Sequence, residues 1–191
     1  MALAPRSPSI PRKSDRTKPP ANGSCNGSGA GGAGGSGGAG GGQAAEYSDR
    51  VNMSSAEDMY DCLTNTVGLS HNQALGVLAN VNRESGFNAA AVGDNGNSFG
   101  LFQFNRGAGR AAPFLSAVPD WQTNPCGQAQ YMFGSDSLGR QYANTQFDNP
   151  LDAANYFTSE VERPSATNSY VAPGGYNSQI INDLITQFPN P

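Results

Sequence analysis

The sequence predicts a mainly helical α+β domain with a small β element, preceded by a disordered N-terminal arm. Residues 1–46 hold almost no large apolar side chain, helix-start signals recur through residues 47–191, and a Gly- and Asn-rich stretch with aromatic residues, VGDNGNSFGLFQF, interrupts the helical pattern. A segment without apolar residues cannot bury enough surface to fold. We therefore divide the chain into an arm, residues 1–46, and one folded domain, residues 47–191.

The first two helices are predicted from repeated capping signals. Ser54 and Ser70 are each followed three residues later by Glu or Gln, which is the capping-box pattern, and apolar residues then recur at three- and four-residue spacing. Gly68 and Gly86 are expected to end these two helices, because glycine readily adopts the left-handed conformation of a helix C-terminus.

The later elements follow from turn and capping residues. Asn-Pro pairs at 124–125 and 149–150 predict two helix starts, because Asn caps a helix and Pro fits its first turn. A final helix is predicted from about Ser178, where Ile and Leu recur along one face. Residues 92–104 are expected to form a turn and a small hairpin or strand.

The arm and the domain carry opposite net charges. Residues 1–46 contain five basic and two acidic residues, whereas residues 47–191 contain six Arg, no Lys and thirteen acidic residues. Nucleic acid binding depends on basic surfaces that neutralise phosphates. We therefore expect no nucleic acid partner for the domain, and the basic arm is either a solvated tether or a contact to an acidic surface.

Export and membrane signals are not apparent in the sequence. The N-terminus lacks the apolar segment of a secretory signal, and no window of about eighteen apolar residues exists, so no membrane span is predicted.

The cysteines and the histidine exclude several kinds of site. Cys25, Cys62 and Cys126 are odd in number and widely spaced, so neither a zinc site nor a disulfide framework is predicted, and Cys62 and Cys126 are expected to be buried thiols. His71 is the single histidine, which excludes histidine-based triads and zinc peptidases. No metal or cofactor is expected.

The strongest candidate for chemistry is Glu84 in the segment NVNRESGFN. It lies seven residues after Val77, on the apolar stripe of the second helix and at its last turn. Burial and the partial negative charge of a helix C-terminus both favour an uncharged carboxylic acid. Such a group can donate a proton to a glycosidic oxygen. The alternative is a local ion pair, for example with Arg110 or Arg163.

Two segments together resemble the paired motifs of the lysozyme-like superfamily. RESGFN is followed, after a turn, by SFGLFQ. In lytic transglycosylases and related phage enzymes, the Glu of the first motif is the general acid and the second motif forms the facing wall of the sugar cleft. The resemblance assigns these roles to Glu84 and to Ser98, Gly100 and Gln103.

A longer resemblance points to the phage tail lysozyme family. GDNGNSFGLFQFN, the later Trp121 and YFTSEVERP are similar to that family, and the similarity covers roughly residues 58–165. Phe102 stands where a Met is usual, and Tyr176-Asn177 is only a faint echo of the later A-Y-N-x-G motif of the transglycosylases. These departures leave hydrolysis and anhydro-forming lysis both open.

Three further residues have competing interpretations. Asp94 is either a second carboxylate across the cleft or a turn-forming residue whose side chain binds backbone N–H groups. Phe102, like neighbouring aromatic residues, is either a stacking face for sugars or part of the core. Arg163 either orients an acidic group of the substrate or forms an ion pair with Glu84 or Glu160.

The resemblance implies a virion-associated glycosidase that cleaves MurNAc–GlcNAc linkages in peptidoglycan during cell-wall penetration. Its expected partners are glycan strands and, through the arm, other virion or tail proteins. It would act in the bacterial cell wall or periplasm. The alternatives are a noncatalytic structural or wall-binding virion subunit that retains the fold, and a host-encoded lytic transglycosylase.

Overall fold

The computed structural model describes residues 53–164 and 167–190. The predicted arm, its boundary with the domain and Cys25 lie outside the described residues, so the division of the chain stays a prediction. The described part is mostly helical with one small sheet, which confirms the predicted fold class.

Eight α-helices and three short strands make up the described chain. They are α1 Met53–Asp61, α2 His71–Ser85, β1 Val92–Gly93, β2 Ser98–Phe99, β3 Phe104–Asn105, α3 Ala111–Ala117, α4 Pro125–Gly134, α5 Ser137–Ala143, α6 Pro150–Tyr156, α7 Thr167–Val171 and α8 Tyr176–Gln187. One π-helical segment, Cys62–Val67, extends α1, and a second, Phe157–Glu162, extends α6; a 3-10 turn, Trp121–Thr123, precedes α4.

Most predicted helix starts are confirmed. The Ser70 hydroxyl accepts from the backbone N–H of Gln73 and the Gln73 side chain accepts from that of Ser70, so the capping box of α2 is present, and Gly86 ends the helix at φ 57°. The Asn-Pro starts of α4 and α6 are confirmed as well. The prediction for Ser54 is wrong, because α1 begins at Met53 and Ser54 lies inside its first turn.

Helix α2 is the centre of the fold. Its residues are buried from Gln73 to Arg83, and it packs mainly against α6 and α8. The approach to α6 is close, because a Cβ on Gly76 would lie 2.8 Å from Ala153. A central helix has no solvent face except at its ends. The C-terminal end of α2 is where Glu84 reaches the surface.

A disulfide joins the end of α1 to the start of α4, which corrects the prediction of two buried thiols. Cys62 and Cys126 are bonded, with their Cα atoms 5.8 Å apart and a sequence separation of 64. Nothing in the spacing of three cysteines could identify this pair, because the pairing depends on the packing of α4 beside α1. Closing a loop of this length stabilises a fold by about 4 kcal/mol in the loop-entropy treatment.

The β element is a three-stranded antiparallel sheet of two-residue strands. Val92 pairs with Phe99, and Phe99 with Phe104, in the order β1-β2-β3. Its turns are tight: Asp94 and Asn95 have φ of 50° and 54°. The sheet follows α2 directly and so stands beside Glu84. Within residues 53–164 and 167–190, no helix is long and apolar enough to cross a membrane.

Candidate active site

Glu84 stands between two neighbouring cavities at the C-terminal end of α2. The larger cavity, about 740 Å³, extends toward α5 and the end of the π-helical segment after α6; the smaller, about 510 Å³, extends along Ser85 and Gly86. Glu84, Asp94 and Gln103 line both. We call the two cavities together the cleft. A cleft that continues on both sides of one carboxyl group suits a linear polymer rather than a small molecule.

The Glu84 carboxylate pairs with the preceding residue. Arg83 donates to Glu84 Oε1 from Nε at 3.0 Å and from Nη2 at 2.6 Å. The Arg83 side chain is 5% exposed and that of Glu84 is 20% exposed. Glu84 thus forms the local ion pair considered as the alternative, but its partner is Arg83 rather than Arg110 or Arg163. The expectation of mainly apolar surroundings is wrong.

Arg83 is itself held by a buried polar network. Thr158 Oγ1 accepts from Arg83 Nη1 at 3.2 Å and from Asn177 Nδ2 at 3.0 Å, and it donates to Asn80 Oδ1 at 2.8 Å. The Arg83 guanidinium also lies 4.5 Å from the centre of the Tyr170 ring, a cation–π contact. A side chain with this many partners has little rotational freedom, so Arg83 fixes the position of the Glu84 carboxylate.

The segment Tyr176-Asn177 contributes to the same network. Tyr176 Oη accepts from Asn82 Nδ2 at 2.8 Å, next to the Asn177 contact with Thr158. Asn177 therefore contacts the residue that holds Arg83, and neither Tyr176 nor Asn177 lines the cleft.

Asp94 lies in the β1–β2 turn and faces the cleft. Its Oδ2 accepts from Ser98 Oγ in a short hydrogen bond and from Asn105 Nδ2 at 3.2 Å. Ser98 Oγ also accepts from Asn105 Nδ2 at 2.9 Å. Asp94 therefore organises the turn through the side chains of Ser98 and Asn105 rather than through the predicted backbone N–H groups. Its carboxylate lines the cleft, and a role as the second carboxylate of the reaction stays a prediction.

The three polar and glycine positions of the second motif have different surroundings. Gln103 lines the cleft and donates from Nε2 to the Gly100 carbonyl at 2.8 Å. Ser98 lines the larger cavity but is 1% exposed and holds Asp94. Gly100 does not line the cleft; its Cα faces Gln128, whose Oε1 would clash with a Cβ there. Its predicted place beside the substrate is therefore wrong, and the glycine makes room for a buried side chain.

The aromatic residues belong to the core rather than to the cleft. Phe102 is fully buried and contacts Phe104, Phe133 and Phe157. The stacking role considered for Phe102 is therefore wrong. Apolar residues next to a glycine-rich turn have the same sequence signature whether they point inward or outward, so the pattern could not decide this.

Arg163 is exposed at the rim of the larger cavity. Its side chain is 59% exposed, its Nε donates to the Glu160 carbonyl at 2.9 Å, and its Nη2 lies 3.9 Å from the Glu160 carboxylate. The alternative pairing with Glu160 is confirmed. An exposed pair of this kind contributes little to stability, so Arg163 is free to exchange Glu160 for another anion.

Sequence reasoning missed a group of charged residues in the wall of the larger cavity. Arg110 donates to Asp136 Oδ2 at 3.0 Å and to the Val161 carbonyl at 3.1 Å. Asp136 also caps α5, where its Oδ1 accepts from two backbone N–H groups. Glu162 stands beside this pair and lines the same cavity.

Glu162 is the acid with the most unusual surroundings. Its Oε1 is shielded from solvent and has no hydrogen-bond partner, although other atoms of the residue are partly exposed. Burial, followed by the negative charge of Glu84, raises the pKa of Glu162 to about 8. Glu162 lies within the segment YFTSEVERP, but only the three-dimensional arrangement shows that its carboxyl group is enclosed.

The arrangement places two carboxyl groups of different character in one wall. Glu84 is ion-paired and reaches the cleft, whereas Glu162 is enclosed and retains a proton near neutral pH. Unequal environments of this kind are how a protein runs acid and base chemistry at the same pH.

Comparison with known proteins gives one match. The sequence model of the family described as phage tail lysozyme matches residues 54–181, which is more than half of the chain. No curated protein and no solved structure matches the chain. The matched range contains the whole cleft, from Glu84 to the residues around Glu162. The chain therefore belongs to the phage tail lysozyme family.

Proposed function

We propose that the domain cleaves the MurNAc–GlcNAc linkages of peptidoglycan glycan strands, with Glu84 as the group that protonates the glycosidic oxygen. The observation that carries this proposal is the position of Glu84, whose carboxyl group lies where two cavities meet, with Asp94 and Gln103 lining both. A glycan strand running through both cavities would place one of its linkages beside Glu84.

The contacts of Glu84 suit proton transfer to a bound sugar. Both Arg83 contacts are to Oε1, so Oε2 is the oxygen that can reach the glycosidic bond. Protonation makes the departing sugar oxygen a good leaving group, and positive charge then develops on the neighbouring ring. The Asp94 carboxylate would stabilise that charge or orient a water molecule. Gln103 and the rim residue Arg163 would bind amide, hydroxyl or carboxylate groups of the substrate.

The place of action is proposed on the family alone. Tail lysozymes by their description belong to phage particles, so we propose that this chain is carried on the virion and opens the cell wall during penetration. Residues 1–46 would connect the domain to other virion proteins, and the glycan strand is the substrate.

A matched pair of variants tests the proposed activity. We expect Glu84→Gln to fold with the same unfolding temperature as the parent within a few degrees and to lose release of soluble fragments from purified peptidoglycan by about 1000-fold. Glu57→Gln, at an exposed position of α1, should retain parental activity.

Two outcomes would contradict the proposal in different ways. Parental activity in a folded Glu84→Gln variant would remove Glu84 from the reaction. A parent that binds peptidoglycan without releasing any fragment would instead support a noncatalytic wall-binding subunit.

A further inference from the structure

Glu162 is an acid with an enclosed carboxyl oxygen, and it has no role in the proposed reaction as described above. It is the last residue of the π-helical segment after α6 and lines the larger cavity together with Glu84. Among the described residues, Glu162 Oε1 is one of two buried side-chain oxygen atoms without a hydrogen-bond partner. An enclosed carboxylate oxygen without a partner is costly when charged, so the site favours the protonated group.

The charges around Glu162 are already matched without it. Arg83 pairs with Glu84 at 2.6 Å, and Arg110 pairs with Asp136 at 3.0 Å. Arg163, the next residue, extends toward Glu160 instead. A charged Glu162 would therefore add a negative charge to a wall in which each neighbouring cation already has an anion.

Glu84 and Glu162 line the same cavity, and the charge of Glu84 acts on Glu162. The Glu84 charge opposes ionisation of Glu162, Arg110 and Arg83 favour it, and Asp136 opposes it. Burial is the largest of these effects, and together they raise the pKa of Glu162 to about 8.

We propose that Glu84 and Glu162 act as one acid pair that holds a single proton in neutral solution, with Glu162 as the positioning residue that keeps this proton beside Glu84. The inference rests on the proposed glycosidase function. It answers a difficulty in that function, because Glu84 Oε1 is ion-paired with Arg83, whereas the reaction needs a proton source beside the glycosidic oxygen.

The proton balance of the reaction is simple. The proton of the pair moves to the glycosidic oxygen as its bond to the anomeric carbon breaks, and the bonding electrons stay with that oxygen. The pair is then fully ionised, next to Arg83 and Arg110. A proton returns to it when water attacks the anomeric carbon or when the sugar's own 6-hydroxyl closes an anhydro ring.

The pH profile of turnover is the test, because a merely structural role would not change it. With purified peptidoglycan as substrate, we expect parental activity to decline above about pH 8, where the pair loses its last proton. In Glu162→Gln the decline should move by two or more pH units toward acid, and turnover at pH 7 should fall about 100-fold. Glu162→Asp should recover part of the alkaline range.

Glu160→Gln is the matched control. Glu160 lies in the same π-helical segment and is 53% exposed, so its variant should keep the parental profile. The inference is overturned if folded Glu162→Gln keeps parental activity and the parental alkaline limit. A parent without activity at any pH would refute the proposed function instead.

A titration keeps the inference testable if Glu162→Gln does not fold. Carbon-13 NMR of glutamate carboxyl groups in the parent should show one group with a midpoint near pH 8. In Glu84→Gln this midpoint should move to lower pH, because the opposing charge is removed. A spectrum in which every glutamate titrates below pH 6 would overturn the inference.

Discussion

The ends of two helices meet in the cleft, and each brings a glutamate with a different environment. At the end of α2, Glu84 is partly exposed and bound by Arg83; at the end of the π-helical extension of α6, Glu162 is enclosed and has an unpaired oxygen. Both positions are helix C-termini, so the helix dipole cannot explain the difference. The two acids differ because Glu84 has a cation, Arg83, as its partner, whereas the buried Oε1 of Glu162 has none.

Removal of the disulfide should have the largest effect on stability, and it should leave the different environments of Glu84 and Glu162 unchanged. We expect Cys62→Ser combined with Cys126→Ser to lower the free energy of unfolding by about 4 kcal/mol, because the denatured chain gains the freedom of the opened loop. Urea denaturation measures this. The alkaline limit of activity should stay at the parental pH, and a shift of that limit would show that the bond also shapes the cleft.

Breaking the Arg83 pair should affect both stability and chemistry. We expect Arg83→Gln to lower the free energy of unfolding by about 3 kcal/mol. The variant lacks the buried guanidinium and therefore its ion pair with Glu84 and its contacts with Thr158 and Tyr170. Because Arg83 lowers the pKa of Glu162, the alkaline limit of any residual activity should move upward. Arg140→Gln, at an exposed position of α5, is the control. An unchanged stability would show that Arg83 does not hold the wall together.

The pH dependence of stability should distinguish Glu162 from ordinary acids. Below pH 4.5 the group is protonated in both the folded and unfolded chain; between pH 4.5 and about 8 only the folded chain retains the proton. The contribution of Glu162 to stability is thus greatest below pH 4.5 and is lost as pH rises to about 8. Glu162→Gln removes this dependence. The unfolding temperature of the variant minus that of the parent should therefore increase by several degrees as pH rises from 5 to 8.

Thermal unfolding at a series of pH values measures that gain. A temperature difference between the parent and Glu162→Gln that stays constant from pH 5 to pH 8 would show that the Glu162 carboxyl group ionises normally in the folded chain.

Asp94 should have the smallest effect of the acids in the cleft. Its Oδ2 is occupied by Ser98 and Asn105, so we expect Asp94→Asn to lower turnover by less than about tenfold, below the range typical of an acid–base catalyst. Asp148→Asn, at an exposed position before α6, is the control. A loss above 100-fold would make Asp94 a second catalytic carboxylate.

Local signals in the sequence predicted five of the eight helices (α1, α2, α4, α6 and α8) and the position of Glu84 at the end of α2, but not the short helices α3, α5 and α7. The capping box at Ser70, the ending at Gly86 and the Asn-Pro starts depend on neighbouring residues, and the structure has them. The disulfide, the core position of Phe102 and the contact of Gly100 with Gln128 depend on residues distant in the chain. A single sequence does not show which distant segments meet.

The same limit applies to the candidate site. Glu84 could be found because its motif is contiguous in the sequence, whereas its ion-pair partner, Arg83, could not be identified from the sequence. Arg83 is adjacent to Glu84, but only the packing of α2 against α6 shows that it is buried and turned toward the carboxylate. Glu162 was not predicted, because the amino-acid sequence does not show that one of its carboxyl oxygens is shielded from solvent.

Mass spectrometry of the products released from purified peptidoglycan tests the central claim most directly. We predict that the parent releases disaccharide-peptides cut between MurNAc and GlcNAc, with either a reducing or a 1,6-anhydro MurNAc end, and that Glu84→Gln releases none. Fragments cut only in the peptide stems, or the same sugar ends from Glu84→Gln, would contradict the assignment of the cleft as a glycosidase centre.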